Sequence, residues 1–497
     1  MGPQHFFEAR RKVFPRKVDG VFRRLKWAIM VVTLAVYYIT PWIRWDRGPY
    51  APDQAVLVDL AHRRFYMFSI EIWPHEFYYV VGLLVMAAIG LFLVTSAVGR
   101  AWCGYACPQT VWTDLFVHVE RFIEGDRNAQ IRLDRAPWGL EKIAKRGSKF
   151  AVWLAIAAAT GGAWIFYFAD APTLARQFFD GTAPYAAYAT VGILTFTTFT
   201  LGGFMREQVC IYMCPWPRIQ SAMMDENSLS VTYKEWRGEP RTRGLKRAKA
   251  APAPVALAPA DAGTPSLVAL ANGETKVGDC IDCGACVAVC PTGIDIREGP
   301  QIGCITCGLC IDACDEMMLK VGREPRLIGY TTEADAKRAR AGQPTVPALK
   351  RLFRVRTLVY FLAWAAVGCG MLFALGSRTR IDISVAQNRN PIWVRLSDGS
   401  IRNAYMVKIR NMEARPRTVE ISLGGVPDAV LWNEEGSRET AARSVRMTVP
   451  ADKVAKTQMF VAVPAQGPQR SDIAFTVRAL DAEDGSATDK SFLERPE

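Results

Sequence analysis

Twelve of the thirteen cysteines fall into two patterns that can carry redox-metal chemistry. The denser one reads Cys280-Ile-Asp-Cys283-Gly-Ala-Cys286-Val-Ala-Val-Cys290-Pro291, then Cys304-Ile-Thr-Cys307-Gly-Leu-Cys310-Ile-Asp-Ala-Cys314. Each half is C-x2-C-x2-C-x3-C, the run that wraps a cubane 4Fe-4S cluster. Three thiolates spaced two residues apart reach three irons of one cubane only where the chain turns tightly, and Gly284 and Gly308 relax the backbone there. The fourth cysteine begins a turn leading away, and in paired runs it ligates the other cluster. The expected sets are therefore Cys280, Cys283, Cys286 and Cys314 for one cluster, and Cys290, Cys304, Cys307 and Cys310 for the other. A zinc site or a disulfide framework is set aside, because eight cysteines in two identical runs match no common zinc spacing. One departure stands out: Asp315 follows the last cysteine where proline is usual, which is expected either to loosen that turn or to alter the cluster's surroundings.

The second pattern is Arg100-Ala-Trp-Cys103-Gly-Tyr-Ala-Cys107-Pro108 and, 107 residues on when measured from Cys103 to Cys210, Arg206-Glu-Gln-Val-Cys210-Ile-Tyr-Met-Cys214-Pro215. Each is C-x3-C-P with an arginine upstream, and Tyr105 and Tyr212 hold the same place in the two motifs. An i, i+4 pair on a helix presents both side chains on one face, so the two sulfurs of each motif are expected side by side. Four soft ligands brought together suit Cu(I), zinc or another iron–sulfur centre. The pairs can instead cycle between dithiol and disulfide, or simply pack at helix ends. Met213, Met223 and Met224 read as packing residues at helical spacing, and Cys369 as a packed thiol.

Apolar segments must position these motifs. Residues 1–26 form a basic arm, and charge-poor spans are expected at 27–43, 77–98, 150–169, 185–205 and 357–376. Residues 27–237 make a membrane domain carrying the first four spans and both C-x3-C-P motifs, each motif closing a hairpin of spans. Between them, Gln109 to Glu124 reads as an amphipathic helix entered through Pro108. A low-complexity Ala/Pro-rich linker occupies 238–275, the two-cluster ferredoxin module 276–330, and a connector 331–356. From 377 to 497 the pattern turns to alternating strands, such as Ile392/Val394/Leu396, Tyr405/Val407/Ile409 and Val419/Ile421/Leu423, and reads as a β-sandwich. The fold class is thus a multidomain membrane protein: an α-helical bundle of five spans, a ferredoxin-like two-cluster module, and a C-terminal all-β sandwich.

The formal charge of +13 sits mostly beside apolar segments, so it reads as membrane topology rather than nucleic-acid binding. The basic arm, the stretch after residue 124 and the long loop after residue 206 fall on one side, expected to be cytoplasmic, and the sandwich on the other. All twelve patterned cysteines are then on the reducing side, where thiolates persist. No small-x-small cleavage site follows the first span, so no cleavable signal peptide is expected. His5, His62, His75 and His118 form no pair at helical ligand spacing, which disfavours haem. No G-x-G-x-x-G follows a strand, so a partner must donate electrons.

Trp102-Cys-Gly-Tyr-Ala-Cys-Pro-Gln-Thr-Val-Trp112, Cys210-Ile-Tyr-Met-Cys-Pro-Trp-Pro-Arg-Ile-Gln220, the paired cysteine run and Ile401-Arg-Asn-Ala-Tyr-Met-Val-Lys-Ile-Arg-Asn411 together resemble the FixG/RdxA/CcoG family over nearly the whole chain. These are accessory proteins of cbb-type cytochrome c oxidase. The resemblance implies a multi-pass protein of the bacterial inner membrane with a periplasmic immunoglobulin-like domain. It implies two 4Fe-4S clusters and a role in reducing Cu(II) to Cu(I) for the oxidase copper centre. Cys103, Cys107, Cys210 and Cys214 would then be the reactive groups, with copper held at them. The implied partners are a cytoplasmic or quinol electron donor, a copper chaperone or transporter, and oxidase subunits. Quinol-dehydrogenase subunits of NapH and NosR type are similar in plan and keep a quinol-linked role open, as does a non-catalytic scaffold.

Overall fold

The computed structural model describes residues 12–48, 51–241, 278–347, 350, 353–413, 415–481 and 485–496. Residues 1–11, with His5, and linker residues 242–275 lie outside them, as does the His75 side chain. The chain divides into two units, one within residues 1–43 and 54–369, the other within 44–53 and 370–497.

The first unit is built on helices α1 (Val21–Ile39), α2 (Tyr78–Val98), α3 (Pro108–Glu124), α4 (Leu140–Ile165), α5 (Tyr185–Thr198), α6 (Trp216–Met223), α7 (Leu309–Val321) and α8 (Val355–Ser377). Among the described residues five segments, Val21–Trp42, Tyr78–Val98, Leu140–Ile165, Tyr185–Phe204 and Val355–Ser377, are long and apolar enough to cross a membrane. Their bounds differ from those expected where charge, rather than helix-forming tendency, marked the edge. α1 begins at Val21 instead of 27 because Arg23 and Lys26 are good helix formers and find partners, and α4 begins at Leu140 instead of 150 for the same reason. Lys149, in α4, is buried against Glu120 (3.2 Å) and Glu124 (2.8 Å) of α3. After Thr198 the fourth apolar segment continues as a π-helical stretch, Phe199–Phe204. Gly202 and Gly203 in it lie against the Phe116 and Trp153 rings, where a Cβ at Gly203 would come within 2.9 Å of Trp153.

Two parts of this unit were not visible in the sequence pattern. The connection between the first two spans holds a three-stranded antiparallel sheet, β1 (Val56–Asp59), β2 (Arg64–Met67) and β3 (Ile70–Ile72). The ferredoxin module is wider than 276–330: β4 (Ser230–Tyr233), from the far side of the linker, pairs with β5 (Ile328–Thr331). Val231, Tyr233, Leu327 and Ile328 thereby close the core around Cys280, Cys286 and Cys314. The expected connector contains a helix, Glu333–Arg340, capped by the Thr332 hydroxyl.

The second unit is a sandwich. One sheet runs β10 (Val430–Asn433), β12 (Val454–Val463), β8 (Ile401–Asn411), β6 (Ile381–Gln387), with β7 (Trp393–Arg395) also on β8. The other runs β11 (Ser444–Val449), β9 (Arg417–Gly424), β13 (Arg470–Ala479), β14 (Ser486–Glu494). Alternation places Tyr405, Val407 and Ile409 of β8 and Val419, Ile421 and Leu423 of β9 in one core. Ile392, Val394 and Leu396 behave otherwise: only 393–395 are strand, and Ile392 is 38% exposed.

Candidate metal centre

The two halves of the ferredoxin module repeat their backbone as well as their cysteines. Asp282 and Gly284 take positive φ (50° and 63°), and so do Thr306 and Gly308 (51° and 74°). Each pair lets the chain curl between its first three cysteines before a helix starts, at Ala285–Val289 in one half and α7 in the other. The fourth cysteines then differ. Cys290 is extended and followed by Pro291, whereas Cys314 lies inside α7, which runs on to Val321. Asp315 thus does not loosen a turn: without proline the helix continues, and the Asp315 carboxylate accepts from the Arg326 N–H at 2.6 Å.

The eight thiols gather as two sets. Cys314 has Cys286, Cys280 and Cys283 as charge neighbours, and those four line one cavity with Tyr233 and Met318. Cys310 has Cys307, Cys290 and Cys304 as its nearest charge neighbours, and they line a second cavity with Ile294 and Ile305. Cys286 borders both cavities. Burial pushes the Cys286 thiol up to about 11, Cys304 and Cys314 up to about 12, and Cys307 and Cys310 upward as well. Such thiols become thiolates only where a metal supplies positive charge. Among the described residues no three His, Cys, Asp or Glu side chains are arranged around a single metal ion. A cubane spreads its four sulfurs wider than one ion does, so two four-thiol sets in apolar walls fit clusters.

The C-x3-C-P motifs depart from the expected single helix face. Cys103 lies in the short helix Ala101–Tyr105, but Cys107 is extended (φ −60°, ψ 129°) as the N-cap of α3. Cys210 lies in a π-helical turn, Val209–Met213, and Cys214 is again extended (φ −79°, ψ 121°). The cause is the proline after each second cysteine, whose ring disfavours the helical conformation in the residue before it. The four thiols are nevertheless charge neighbours across the two motifs, though not arranged around a single ion among the described residues. Burial, then Cys107, Cys210 and Cys214, push the Cys103 thiol up to about 12, against the pull of Arg100. Burial, then Cys107 and Cys214, push Cys210 up to about 12 as well, with Lys26 pulling the other way. Cys103 is buried and donates to Gln220 Oε1 at 3.0 Å, while the other three are half-buried. No disulfide joins any two of the thirteen cysteines.

Tyr105 and Tyr212, equivalent in sequence, have different surroundings. Tyr212 is exposed, whereas Tyr105 is buried and donates to the Cys307 carbonyl at 3.0 Å, beside the Tyr330 hydroxyl. His118 stacks edge-on against Trp27 (4.7 Å between centroids) and has Arg23, Asp114 and Arg121 as its charged neighbours. Cys369 is exposed rather than packed, because the apolar middle of α8 is not covered by the rest of the chain. Sequence reasoning missed Gln220, Lys26 and Asp312 as residues of this region. Only the position of Asp312 between Cys310 and Cys314 hinted at a role.

Comparison with known families agrees with this geometry. Residues 205–333 match the 4Fe-4S dicluster domain, residues 80–124 a 4Fe-4S binding domain, and residues 371–496 the IG-like fold at the C-terminus of FixG. The chain is 54% identical to the nitrogen fixation protein FixG of Rhizobium meliloti, over 96% of this chain and 91% of that one. It is 53% identical to protein RdxB of Cereibacter sphaeroides (96% and 94% covered) and 52% identical to protein RdxA of the same organism (94% and 92%). Among solved structures, a FixG-related protein from Vibrio parahaemolyticus aligns to 24% of this chain and all of its own, at 15% identity and a TM-score of 0.20. With full-length identity above one half and both iron–sulfur stretches matched, the chain belongs to the FixG family of 4Fe-4S oxidoreductases.

Proposed function

We propose that this protein is a membrane-spanning electron-transfer protein that reduces Cu(II) to Cu(I) at its C-x3-C-P thiols, in support of cbb-type oxidase assembly. The observation that carries the reading is the seating of the first motif on a cluster loop. A Cβ on Gly104 would lie 2.6 Å from the Ile305 carbonyl oxygen and 3.1 Å from Cys307 backbone atoms, and Tyr105 bonds the Cys307 carbonyl. Cys103 shares an apolar cluster with Ile305, Cys307 and Leu309, so little water separates the two thiol systems.

In this reading Cys280, Cys283, Cys286 and Cys314 hold one 4Fe-4S cluster, and Cys290, Cys304, Cys307 and Cys310 the other. When bound, these clusters supply one-electron steps. Cys103, Cys107, Cys210 and Cys214 receive copper as substrate, losing the protons that burial holds on Cys103 and Cys210. Thiolates favour Cu(I), so ligation and reduction pull the same way. Each Cu(II) takes one electron, replaced by a low-potential one-electron donor. The basic arm and loops are read as cytoplasmic and the immunoglobulin-like unit as periplasmic.

The test is electron paramagnetic resonance on anaerobic, dithionite-reduced full-length protein, before and after stoichiometric Cu(II). Reduced-cluster signals that vanish without leaving a Cu(II) spectrum support the reading, and the Cys103→Ser/Cys107→Ser variant should keep both signals. Clusters that stay reduced beside persistent Cu(II) overturn it. A quinol donor is the second reading. It is favoured by a cavity walled by Phe150, Trp153 and Phe204 with Lys149, Glu120 and Arg206 at its polar side. Cluster reduction by a quinol under the same conditions selects it.

A further inference from the structure

Arg100 stands at the turn between α2 and the first C-x3-C-P motif and is 7% exposed. Its guanidinium donates to the carbonyls of Ile302 (2.7 Å) and Cys304 (3.2 Å) and to the Ser221 hydroxyl, while its Nε is buried without a hydrogen-bond partner. The charge lies within electrostatic reach of Cys304 on one side and Cys103 on the other. Among the described residues Arg100 makes no ion pair. A buried cation without a carboxylate is costly, several kcal/mol by general expectation, so the anions that balance it must come from the thiol systems it faces. The other cysteine set has a different cation. Arg297 acts on Cys286, but it is held by Asp282 and Asp295, each at 2.6 Å, and Asp295 opposes it at the same thiol.

We infer that Arg100 is a positioning residue that clamps the Cys304–Cys307 loop onto the C-x3-C-P motif and raises the reduction potential of the group held by Cys290, Cys304, Cys307 and Cys310 above that of the other set. A cation beside a redox group favours its more negative, reduced form, and net charge and hydrogen bonding to the ligands are the protein's levers on such potentials. Arg297 pulls on Cys286 in the same sense, but Asp295 beside it acts on that thiol in the opposite one. Electrons entering the chain are therefore directed downhill toward the set that faces Cys103. The inference rests on the two-cluster part of the proposed function and is independent of copper.

The experiment is an anaerobic redox titration of the full-length protein in detergent, followed by electron paramagnetic resonance with no copper present. Two one-electron waves are expected, and Cys290→Ser should abolish the upper one. Arg100→Gln should lower the upper wave by at least tenfold in its reduction equilibrium, 59 mV for one electron, and leave the lower wave in place. An unmoved upper wave, or both waves falling together, overturns the inference. Should Arg100→Gln lose iron, Arg100→Lys decides. The ammonium keeps the positive charge, so the upper wave should stay within about threefold of the parent, and a fall of tenfold or more overturns the assignment. Protein without iron would count against the cluster reading itself, and failure to reduce copper with the Arg100 shift intact would count only against copper.

Discussion

Asp312, between two cluster cysteines, accepts the backbone N–H of Arg23 at 2.8 Å and so caps the first apolar helix from the ferredoxin module. The Phe22 N–H reaches the other carboxylate oxygen at 3.2 Å. Gly20 leaves room for it, since a Cβ there would fall 2.2 Å from the Asp312 carboxyl carbon. Arg23 in turn pairs with Asp114 of α3 (2.8 Å), and Lys26 stands 3.8 Å from the same carboxylate. Removing an N-cap of this kind costs about 1 kcal/mol. Asp312→Ala should therefore bind its full iron at low temperature and bleach its iron–sulfur absorbance at a lower temperature than the parent. An unchanged bleaching midpoint would show that the cap contributes nothing.

The interleaving of the two thiol sets gives a crossed prediction. Cys314→Ser should remove the signal of the set containing Cys280, Cys283 and Cys286, although Cys314 sits in the other run. Cys290→Ser should remove the signal of the set with Cys304, Cys307 and Cys310. Spin quantitation in each variant checks this: loss of the signal belonging to the same run would mean that the sets do not cross.

Gly104 has a separate role from the cysteines around it. Its neighbour is backbone, the Ile305 carbonyl and the Cys307 amide, which cannot rotate away as a side chain can. Gly104→Ala must therefore push the first motif off the cluster loop by a few tenths of an ångström or more. Iron content should be unchanged, and the rate at which reduced protein loses electrons to Cu(II) should fall several-fold in stopped flow. A wild-type rate would mean that the close approach is not used for transfer.

The chemistry was more legible in the sequence than its mounting. Cysteine spacing is set by the cluster, so the eight-residue pattern announced itself, and Pro108 correctly marked the start of α3. The same kind of residue misled when its effect on the residue before it was ignored: Pro108 and Pro215 break the helix face that was expected to carry both sulfurs of each motif. Contacts across long separations were invisible in principle. Nothing local says that β4 pairs with β5 across the linker, or that Gln220 meets Cys103. Short strands such as β1–β3, with four residues or fewer each, give too little alternation to stand out beside long apolar helices.

Glu120 offers a test through pH. Burial alone would push its carboxyl up, but Arg206 (2.6 Å) and Lys149 (3.2 Å) outweigh that and hold it below the usual carboxylate range. A carboxylate depressed in the folded state contributes stability that is fully present above its unfolded value, about 4.3, and is lost as pH falls through the folded value. Glu120→Gln leaves Lys149 and Arg206 less compensated and should cost about 3 kcal/mol at neutral pH. Below about pH 4 the parent loses this contribution too, so the difference between the two melting temperatures, followed by helical circular dichroism, should shrink. Taking the difference cancels the other carboxylates, which titrate alike in both proteins. A gap that stays constant from pH 7 to about pH 3 would mean that the Glu120 charge is not what ties α3 to α4 and Arg206.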